Sequence, residues 1–465
     1  MEEKHSMEER HSTEEKHSPG EAQPSGNRYR KYIIISGWLV LWQLIALSAD
    51  NDLLLAAPFD TGRALVSLLG EGSFYLIVGK SLLRIASGFL AGFALAALLA
   101  VCSRRMPLAE EILSPLMTLM KAVPVASFAV LLLIWWGSSF LAVAVCFTVV
   151  LPNLYINLLE GMKSADIRML EMAQVFRVPF WNRCLYIYRP ALRPFLYSGL
   201  KLSLGMCWKS GVAAEVIGTP DFSVGERLYL SKVYLDTADV FAWTAVVILL
   251  SLLFEKAVLW LAELFFAWEP VCRRPGEAGQ SKAPIRLRNV TLAYGSHVIW
   301  DRFSASYAAG ETYYLTEPSG SGKTTLLCIL AGLVRTDAGE VAVPPCCSMV
   351  FQEDRLCDDY SAVKNVELVT GDRRKAREAL EKLLEREALD RPCRQLSGGM
   401  RRRVALVRAM EAESSYVLLD EPFAGMDPGT RKKATGYIRE RQAGRTVVIA
   451  DHFPDSRGRE TFASF

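Results

Sequence analysis

The chain has 465 residues, which predicts two or three domains. Its net charge of +3 is too balanced for a nucleic-acid-binding protein, so we expect no nucleic-acid partner. The ten cysteines show no metal-ligand spacing, which favours reduced thiols in a cytosolic setting for the soluble part. Composition separates a strongly apolar region, about residues 32–267, from a region of ordinary soluble composition after residue 272.

The N-terminus repeats one hexamer three times, as MEEKHS, MEERHS and TEEKHS. The repeat lacks the apolar residues that form a core, so we predict a disordered tail over residues 1–28. Its three histidines could capture a metal ion, but a solvated tail is the preferred interpretation because no fixed geometry supports a site. No apolar segment follows the first residues, which argues against a secretory signal.

Six apolar segments follow, each long enough for the roughly 20 residues that span a membrane. They cover about residues 32–49, 77–101, 112–135, 139–160, 194–217 and 239–266. Arginine and lysine are concentrated before the first segment, in alternate loops and after the sixth, so the positive-inside rule places both termini in the cytoplasm. We therefore predict an all-α, six-helix transmembrane domain over residues 29–270 in the cell membrane.

A polar segment with glycine and proline, residues 271–283, predicts a linker. From residue 284 to residue 465, short β-type runs alternate with helical runs. This pattern predicts an α/β domain in the cytoplasm.

The stretch EPSGSGKTT, Glu317–Thr325, follows a predicted strand and precedes a predicted helix. This is the context of a phosphate-binding loop, whose backbone N–H groups surround phosphate oxygens. Lys323 is predicted to reach the β- and γ-phosphates of ATP, and Thr324 to ligate Mg²⁺. Glu317 stands where the usual pattern has its first glycine, which predicts weaker ATP affinity. The candidate ATP-binding residues of this loop are Ser319, Gly320, Ser321, Gly322, Lys323, Thr324 and Thr325.

Downstream motifs resemble those of ABC-type ATPases, in the order of that family. Leu396–Met400 resembles the LSGGQ signature, with Met400 in place of the glutamine. The resemblance implies that Ser397, Gly398 and Gly399 close over the ATP of a second subunit. An unrelated Ser-Gly-Gly helix cap is the alternative.

Asp420 and Glu421 end a predicted buried strand and resemble the carboxylate pair of the same family. The resemblance implies that Asp420 holds Mg²⁺ through water and that Glu421 acts as general base on the attacking water. A strand that ends in Asp-Glu could otherwise simply cap a helix.

Three further residues resemble ATP-site positions of the family. The resemblance implies that Tyr294 stacks on adenine, that Gln352 senses Mg²⁺ and the coupling loop, and that His452 contacts the γ-phosphate and the attacking water. Tyr294 could otherwise be an ordinary strand aromatic. Asp451 stands where the family usually has threonine.

The loop between the fourth and fifth apolar segments resembles the E-A-A-x3-G-x9-I-x-L-P coupling loop of ATP-driven importers. Glu171, Ala173, Ile187 and Pro190 match in register, whereas Met172, Arg177 and Arg189 replace the motif's alanine, glycine and leucine. The resemblance implies a short helix pair that docks in a groove of the ATPase. The alternative is an amphipathic loop that is basic for topology alone, and the lost glycine leaves the tightness of the turn open.

Lys80–Phe93, Lys121–Gly137 and Ala213–Gly218 resemble permeases of the sulfonate, nitrate and taurine class of binding-protein-dependent importers, and the similarity covers about residues 55–265. Relatives also carry pyrimidine precursors of thiamine. Lys209 lies within an apolar segment, where charge is costly, and a lysine beside the transport path would suit an anionic solute. Glu215, the second candidate path residue, is about 120° away around the helix, so the two charges are not expected to neutralise each other. Lys209 could instead be a structural charge satisfied by another helix.

Together these resemblances imply a fused half-transporter that uses ATP and Mg²⁺ to take up a small, anionic solute. Two chains would form the working homodimer, and a separate extracytoplasmic solute-binding protein would deliver the small-molecule substrate. An exporter half-transporter is one alternative, although the short spans and the coupling loop argue against it. A membrane scaffold with an impaired ATPase is another, because Glu317, Met400 and Asp451 depart from the family pattern.

Overall fold

A computed structural model describes residues 26–49, 55–268, 271–272, 281–295, 297–316, 320–451 and 461–462. The predicted N-terminal tail and most of the predicted linker lie outside these residues. The chain forms two compact units, and each is described by itself below.

The apolar region is helical throughout its described length. Its helices are α1 (Gly26–Ala49), α2 (Pro58–Gly70), α3 (Gly72–Arg105), α4 (Pro107–Ala122), α5 (Val125–Trp136), α6 (Ser138–Lys163), α7 (Ile167–Val175), α8 (Phe180–Arg183), α9 (Arg189–Gly218), α10 (Val224–Val233) and α11 (Thr237–Ala267), with a π-helical segment, Cys184–Tyr188, between α8 and α9. Five of the six predicted segments each coincide with one long helix, namely α1, α3, α6, α9 and α11. The sequence did not predict the short helices α2 and α10, whereas α7 and α8 lie in the loop for which the family resemblance implies a short helix pair.

The third predicted segment, residues 112–135, is not one helix, which corrects the prediction. It is broken at Val123 and Pro124 into α4 and α5, which are bent by 101°. Val123 has extended dihedral angles, φ −70° and ψ 126°. The ring of Pro124 disfavours helical dihedral angles at the preceding residue, and proline has no N–H to continue the helical hydrogen bonds.

By length and composition, three of the described helices, α3, α6 and α11, could cross a membrane, and the bent pair α4–α5 would give a fourth candidate span if it counts as one. The apolar stretch of α1 is the shorter Tyr32–Ser48. Helix α9 has 30 residues but carries Lys201, Lys209 and Glu215, which lower its hydropathy. The chain is therefore a membrane protein in which α9 is the most polar of the long helices.

The described residues of the first unit lie within Met1–Gly88, Pro124–Cys146 and Cys207–Leu253. The unit has two apolar clusters. One surrounds Trp243 and contains Leu68, Phe74, Ile77, Val224, Ala242 and Val246; the other packs α5 and α6 on Ala214. Between helices in a membrane, van der Waals contacts of such side chains are a main favourable term in packing.

The described residues of the second unit lie within Phe89–Val123, Phe147–Met206 and Phe254–Phe465, and they include every strand of the part of the chain that the structure describes. The strands are β1 (Ile285–Tyr294), β2 (His297–Tyr307), β3 (Thr312–Leu315), β4 (Ala338–Ala342), β5 (Cys347–Val350), β6 (Tyr416–Asp420), β7 (Thr446–Ala450) and β8 (Thr461–Phe462). The helices after β3 are α12 (Lys323–Leu330), α13 (Ala362–Thr370), α14 (Arg373–Leu380), α15 (Arg386–Leu389), α16 (Gly398–Glu411) and α17 (Pro428–Arg441).

These strands form two sheets. A parallel sheet has the order β5-β6-β7-β3-β8, and an antiparallel sheet has the order β2-β1-β4. All residues of β6 and β7 are buried, which explains why both strands are continuous apolar runs. Because β3, β7 and β6 are parallel, the carboxyl ends of β3 and β6 lie at the same edge of the sheet. Ligands bind at this edge in open α/β sheets.

The main apolar core of the second unit includes residues of α7 and of the segment before α9. Met172, Ala173, Val175 and Phe176 lie in one contiguous cluster with the core of the α/β sheet, and so do Tyr186 and Ile187. The predicted coupling loop is therefore packed into the same core as the ATPase strands and helices.

All ten cysteines lie within the described residues, and all are free thiols. None of them is exposed: six are buried and four are half-buried. This agrees with the reduced state that their spacing predicts.

Candidate functional site

The phosphate-loop residues that the structure describes lie between β3 and α12. Gly320 and Gly322 have left-handed φ angles of +88° and +94°, which favour glycine. Gly322 precedes the first residue of α12, so its neighbours present N–H groups at a helix N-terminus. A Cβ atom on Gly322 would lie 3.1 Å from the Trp300 ring. Ser319 and Glu317 lie outside the described residues.

Lys323, Thr324 and Asp420 converge at the carboxyl edge of the parallel sheet. Lys323 is buried at the start of α12, and the Thr324 hydroxyl hydrogen-bonds the Asp420 carboxylate. The Asp420 side chain is buried, and its Oδ2 atom has no hydrogen-bond partner among the described residues. The buried hydroxyl of Ser321 also has no partner among them. Buried polar atoms of this kind need a partner, and a phosphate with its divalent cation would supply one to each.

Burial raises the pKa of Asp420, and the neighbouring charge of Glu421 raises it further. The Thr324 hydrogen bond and the charges of Arg402 and Lys323 act in the opposite direction. A carboxylate that is costly to ionise and has a free oxygen suits a hard cation such as Mg²⁺, which favours its ionised form.

Glu421 follows β6 in a left-handed conformation, with φ of +47°. Its backbone N–H donates to the carbonyl of Ala450 on β7, at 2.8 Å. A non-glycine residue in this conformation costs energy, so the surrounding contacts must hold it.

Arg402 of α16 supplies several of those contacts, and sequence reasoning missed it. The side chain is buried and donates to the Glu421 carbonyl at 2.8 and 3.0 Å, and also to the Asp420 carbonyl. It donates to the carbonyls of Phe351 at 2.6 Å and Gln352 at 3.2 Å, and pairs with the Asp354 carboxylate at 3.1 Å. Arg402 therefore connects the segment of Gln352 with the end of β6.

The signature residues lie at the N-terminus of α16. The Ser397 side chain caps the helix by accepting from the N–H of Met400 at 3.4 Å, and Ser397 and Gly398 are exposed. A Cβ atom on Gly399 would lie 2.6 Å from the Gly425 carbonyl oxygen, so a side chain there would displace that loop. Met400 packs against the main core.

Four other candidate residues of the ATP site differ in where they lie. Tyr294 is the last residue of β1, and His452 lies outside the described residues. The side chain of Gln352 is exposed, whereas its carbonyl accepts from Arg402. Thr325, in the first turn of α12, is half-buried.

Asp451, which replaces the family's threonine, is buried at the end of β7. Its Oδ2 atom pairs with Arg431 of α17 at 2.6 Å. The charge of Asp451 is therefore neutralised by a residue of the same domain.

The predicted coupling loop contains a tight turn despite the loss of the motif's glycine. Arg177, at the glycine position, has a left-handed φ of +50°. The N–H of Val178 donates to the Ala173 carbonyl at 2.9 Å, and that of Arg177 to the Gln174 carbonyl at 3.1 Å. These bonds end α7 in the pattern that usually places glycine at this position.

Two ion pairs join this loop to the segment after β5. Glu171 pairs with Arg355 at 2.7 Å, with the arginine largely buried, and Arg168 pairs with Glu353 at 2.7 Å on the surface. Arg355 also lies 4.0 Å above the ring of Phe351. The loop is thus more than a basic segment for topology, because its charges have specific partners.

Arg408 of α16, which sequence reasoning also missed, supports the segment after β5 that pairs with the coupling loop. It is fully buried, donates to the carbonyls of Arg355 and Asp354 at 2.7 and 3.0 Å, and lies 5.1 Å from the ring of Phe176. Burial lowers the pKa of Arg408 to about 10, which leaves the guanidinium charged at neutral pH. The helical run MRRRVALVRAM contains both Arg402 and Arg408, but a single sequence does not distinguish its buried from its exposed arginines.

In the first unit, Glu215 is buried and hydrogen-bonded. Ser81 donates to it at 2.7 Å and the N–H of Gly225 at 3.3 Å, and Arg84 lies 3.7 Å away. Lys209 is exposed and makes no ion pair with a described residue. The two charges are not partners, and Glu215 is neutralised by a different helix.

Family models match both parts of the chain. The model described as ABC transporter matches residues 300–424, and the model described as binding-protein-dependent transport system inner membrane component matches residues 88–267. The first match covers the phosphate loop, the signature and the carboxylate pair, and the second covers most of the apolar region.

Relatives of the ATPase part are named for two solutes. The chain is 44% identical over 184 residues to the aliphatic sulfonates import ATP-binding protein SsuB 2 of Pseudomonas syringae pv. syringae, covering 38% of this chain and 66% of the relative. It is 38% identical over 178 residues to SsuB 3 of Paraburkholderia xenovorans, covering 37% and 69%. It is 36% identical over 197 residues to the thiamine import ATP-binding protein ThiQ of Chelativorans sp., covering 38% and 79%.

The chain spans about two thirds of the length of the sulfonate-import relatives that it matches. The matches place an ABC ATPase and a binding-protein-dependent permease component in one polypeptide, as the resemblances in its sequence predicted. The chain therefore belongs to the ABC transporter family.

Proposed function

We propose that the chain is an ATP-driven importer of a small solute, with a permease domain over residues 29–270 and an ATPase domain over residues 284–465. Residues 271–283 connect the two domains. The observation that carries this proposal is the buried, partnerless oxygen of Asp420 beside Thr324 and Lys323. That arrangement suits a nucleotide with its cation, and it lies in the same chain as an importer-type permease component.

In the proposed ATP site, Lys323 and the loop N–H groups bind the phosphates, with Ser319, Ser321 and Thr325 nearby. Thr324 and Asp420 would hold Mg²⁺, which supplies charge neutralisation to the transferred phosphoryl group. Glu421 orients the attacking water and receives its proton. Gln352 would sense Mg²⁺ and the coupling loop, His452 would contact the γ-phosphate and the attacking water, and Tyr294 would stack on adenine.

Two copies of the chain form the proposed working unit. The exposed Ser397 and Gly398 are positioned at a helix start, where N–H groups can close over the γ-phosphate bound by another copy. ATP binding would close this pair, and the coupling loop, with Glu171, Ala173, Ile187 and Pro190, would transmit the closure to the helices.

We propose the cell membrane as the location, with the ATPase domain in the cytoplasm and an extracytoplasmic solute-binding protein as partner. The names of the relatives favour an aliphatic sulfonate as the solute, and an anion would also suit the exposed Lys209. Thiamine is the second candidate, because the ThiQ relative is covered over 79% of its length. The permease match favours import over export.

The test is reconstitution of the full chain in proteoliposomes with candidate solute-binding proteins. We expect ATP hydrolysis to rise severalfold with one cognate protein and its solute, and labelled solute to accumulate on the ATPase side. Glu421→Gln should lower turnover by a factor of about 100 or more while ATP still binds. Lys209→Gln should reduce uptake of an anion and leave ATP binding unchanged.

A matched control is Glu413→Gln, which removes a carboxylate from the same domain away from the strand end. Hydrolysis that survives Glu421→Gln would contradict the assignment of the base. ATP binding without hydrolysis under every lipid and binding protein would favour the scaffold alternative.

A further inference from the structure

The C-terminal end of α11 is held by an arginine of the coupling loop. Arg189 donates through one guanidinium nitrogen to the carbonyls of Phe265 at 3.2 Å and Trp268 at 2.8 Å. The other nitrogen donates to the Phe266 carbonyl at 3.4 Å. The last carbonyls of a helix lack intrahelical partners and carry negative partial charge, so a cation is favourable there.

Arg189 is itself buried and makes no ion pair with a carboxylate among the described residues. Its remaining partner is the hydroxyl of Tyr360, at 3.3 Å. A buried charge is costly unless it is hydrogen-bonded, and here the end of α11 and one tyrosine satisfy it. The contact is therefore specific, and a positive charge kept for membrane topology alone would not need it.

Tyr360 belongs to the segment between β5 and α13, and it contacts the coupling loop at two other points. Its hydroxyl donates to the Leu185 carbonyl at 3.2 Å, and its ring packs against the ring of Tyr186 with centroids 4.9 Å apart. Burial raises the pKa of Tyr360, so its hydroxyl stays protonated and available as a donor at neutral pH.

The chain that leaves α11 is held a second time, four residues after Trp268. The Cys272 thiol donates to the Tyr186 hydroxyl at 3.2 Å, and both side chains are buried. The start of the predicted linker is thus fixed by Tyr186, as the end of α11 is fixed by Arg189, and both of these loop residues contact Tyr360.

We propose that Arg189 is a positioning residue that fixes the end of α11 and the start of the linker to the coupling loop and to Tyr360. Movement of the Tyr360 segment then displaces α11 together with α9, whose first residue is Arg189. The coupling motif of the family has leucine at this position, so the chain has a second mechanical connection in addition to loop docking. The transport part of this inference rests on the proposed function.

The first test is hydrogen–deuterium exchange of the full chain in nanodiscs without nucleotide. Arg189→Leu removes three charge-assisted hydrogen bonds to the end of α11 and a fourth to Tyr360, and we expect amide exchange over residues 264–268 to rise about tenfold. The matched control is Arg193→Leu, one turn further along α9. Arg193 lies near the rings of Tyr197 and Phe266 and donates no hydrogen bond to a described residue, so its loss should raise that exchange by about twofold at most.

If Arg189→Leu does not fold, Tyr360→Phe provides a milder change that removes the two hydrogen bonds of the hydroxyl, to Arg189 and to the Leu185 carbonyl, and keeps the ring contact. Exchange over residues 264–268 should then rise about threefold. Unchanged exchange in both variants, or an equal rise in Arg193→Leu, would overturn the inference.

The second test measures solute moved per ATP hydrolysed. Arg189→Leu should lower this ratio severalfold and leave basal hydrolysis within about twofold of wild type, because Arg189 lies outside the ATP site. Raised exchange with an unchanged ratio would overturn the positioning role. A wild-type chain that moves no solute would contradict the proposed function, whereas the exchange comparison would still decide whether Arg189 holds α11.

Discussion

The coupling loop and the ATP site both depart from their family patterns, at Met172, Arg177 and Arg189 in the loop and at Met400 and Asp451 near the site. In the loop, each replacement is larger than the family residue. Met172 is buried in the main core, and Arg189 hydrogen-bonds the end of α11. Arg177 adopts a left-handed conformation at the turn. Near the ATP site, Met400 packs into the core and Asp451 pairs with Arg431.

The ATP site and the coupling loop differ in which of their positions depart from the family pattern. The described residues that we propose to contact the phosphate and the cation, from Gly320 to Thr324 and at Asp420 and Glu421, keep the family's residue types. The mechanical positions change instead. Chemistry that depends on donor atoms at fixed positions restricts the ATP site, whereas a docking surface can be rebuilt by any set of side chains that fills it.

The largest effect is expected at Arg402, where the ATP site depends on a residue outside its motifs. Arg402→Ala would leave the carbonyls of Phe351, Gln352, Asp420 and Glu421 without this donor. We expect the free energy of unfolding to fall by about 3–5 kcal/mol and ATP turnover to fall sharply. Chemical denaturation of the full chain and an ATPase assay measure the two effects.

Arg401→Ala is the matched control, because Arg401 is the neighbouring residue and pairs with the exposed Asp358. The Arg401→Ala change should lower the free energy of unfolding by at most about 1 kcal/mol. Equal losses for the two variants would show that Arg402 does not hold the strand end.

A second prediction concerns the electrostatics of the ATP site. Since burial raises the pKa of Asp420, its ionisation opposes folding when Mg²⁺ is absent. The protein without Mg²⁺ should lose stability as pH rises from the ordinary aspartate pKa through the raised one. Asp420→Asn should flatten this change, raise the melting temperature without Mg²⁺ at neutral pH by roughly 2–4 °C, and abolish Mg²⁺-dependent hydrolysis.

The measurement is thermal unfolding across pH in the presence of a chelator, beside ATP hydrolysis with Mg²⁺. Glu413→Gln controls for the loss of a carboxylate elsewhere in the domain. A lower melting temperature in Asp420→Asn would contradict the proposed cost of the buried charge.

A smaller effect is expected at the ion pairs of the coupling loop. The Glu171–Arg355 pair is more buried than the Arg168–Glu353 pair, so it should show the larger coupling energy, about 1 kcal/mol against at most about 0.5 kcal/mol. Double-mutant cycles with Gln and Met at the two pairs, read by denaturation and by solute-stimulated hydrolysis, measure both values. Equal coupling energies would mean that burial does not set their strength.

The smallest effect is expected at Arg177, where the loop keeps glycine-like geometry without glycine. Arg177→Gly should remove left-handed strain and stabilise the chain by roughly 0.5–1 kcal/mol, net of the greater entropy of glycine in the unfolded state. Arg177→Ala keeps the strain and serves as the control. Denaturation curves compare the three chains, and a destabilised glycine variant would mean that the arginine side chain stabilises the turn.

Much of the fold follows from local patterns in the sequence. The continuous apolar run Tyr416–Asp420 and the glycine turn before α12 predict a buried strand and a phosphate loop, because both depend on neighbouring residues only. Pro124 shows where local reading was incomplete: the hydropathy of residues 112–135 suggests one span, whereas the proline breaks it.

The contacts that the sequence did not predict are long-range. Arg402 lies 18 residues before Asp420 and 51 after Phe351, and Arg189 lies 171 residues before Tyr360. Which of several adjacent arginines points inward depends on how α16 packs, and one sequence without an alignment does not contain that information.

Because none of the ten cysteines is exposed, their reaction with thiol reagents would report local opening of the chain. Thiol reagents attack the thiolate, and burial raises the pKa of Cys272 to about 11 and those of Cys357 and Cys393 to about 12. Maleimide should therefore react slowly with the native chain, for reasons of both access and ionisation. A thiol introduced at an exposed position would therefore be labelled much faster than the native cysteines. The rate at which Cys272 reacts would measure how often the start of the linker separates from Tyr186.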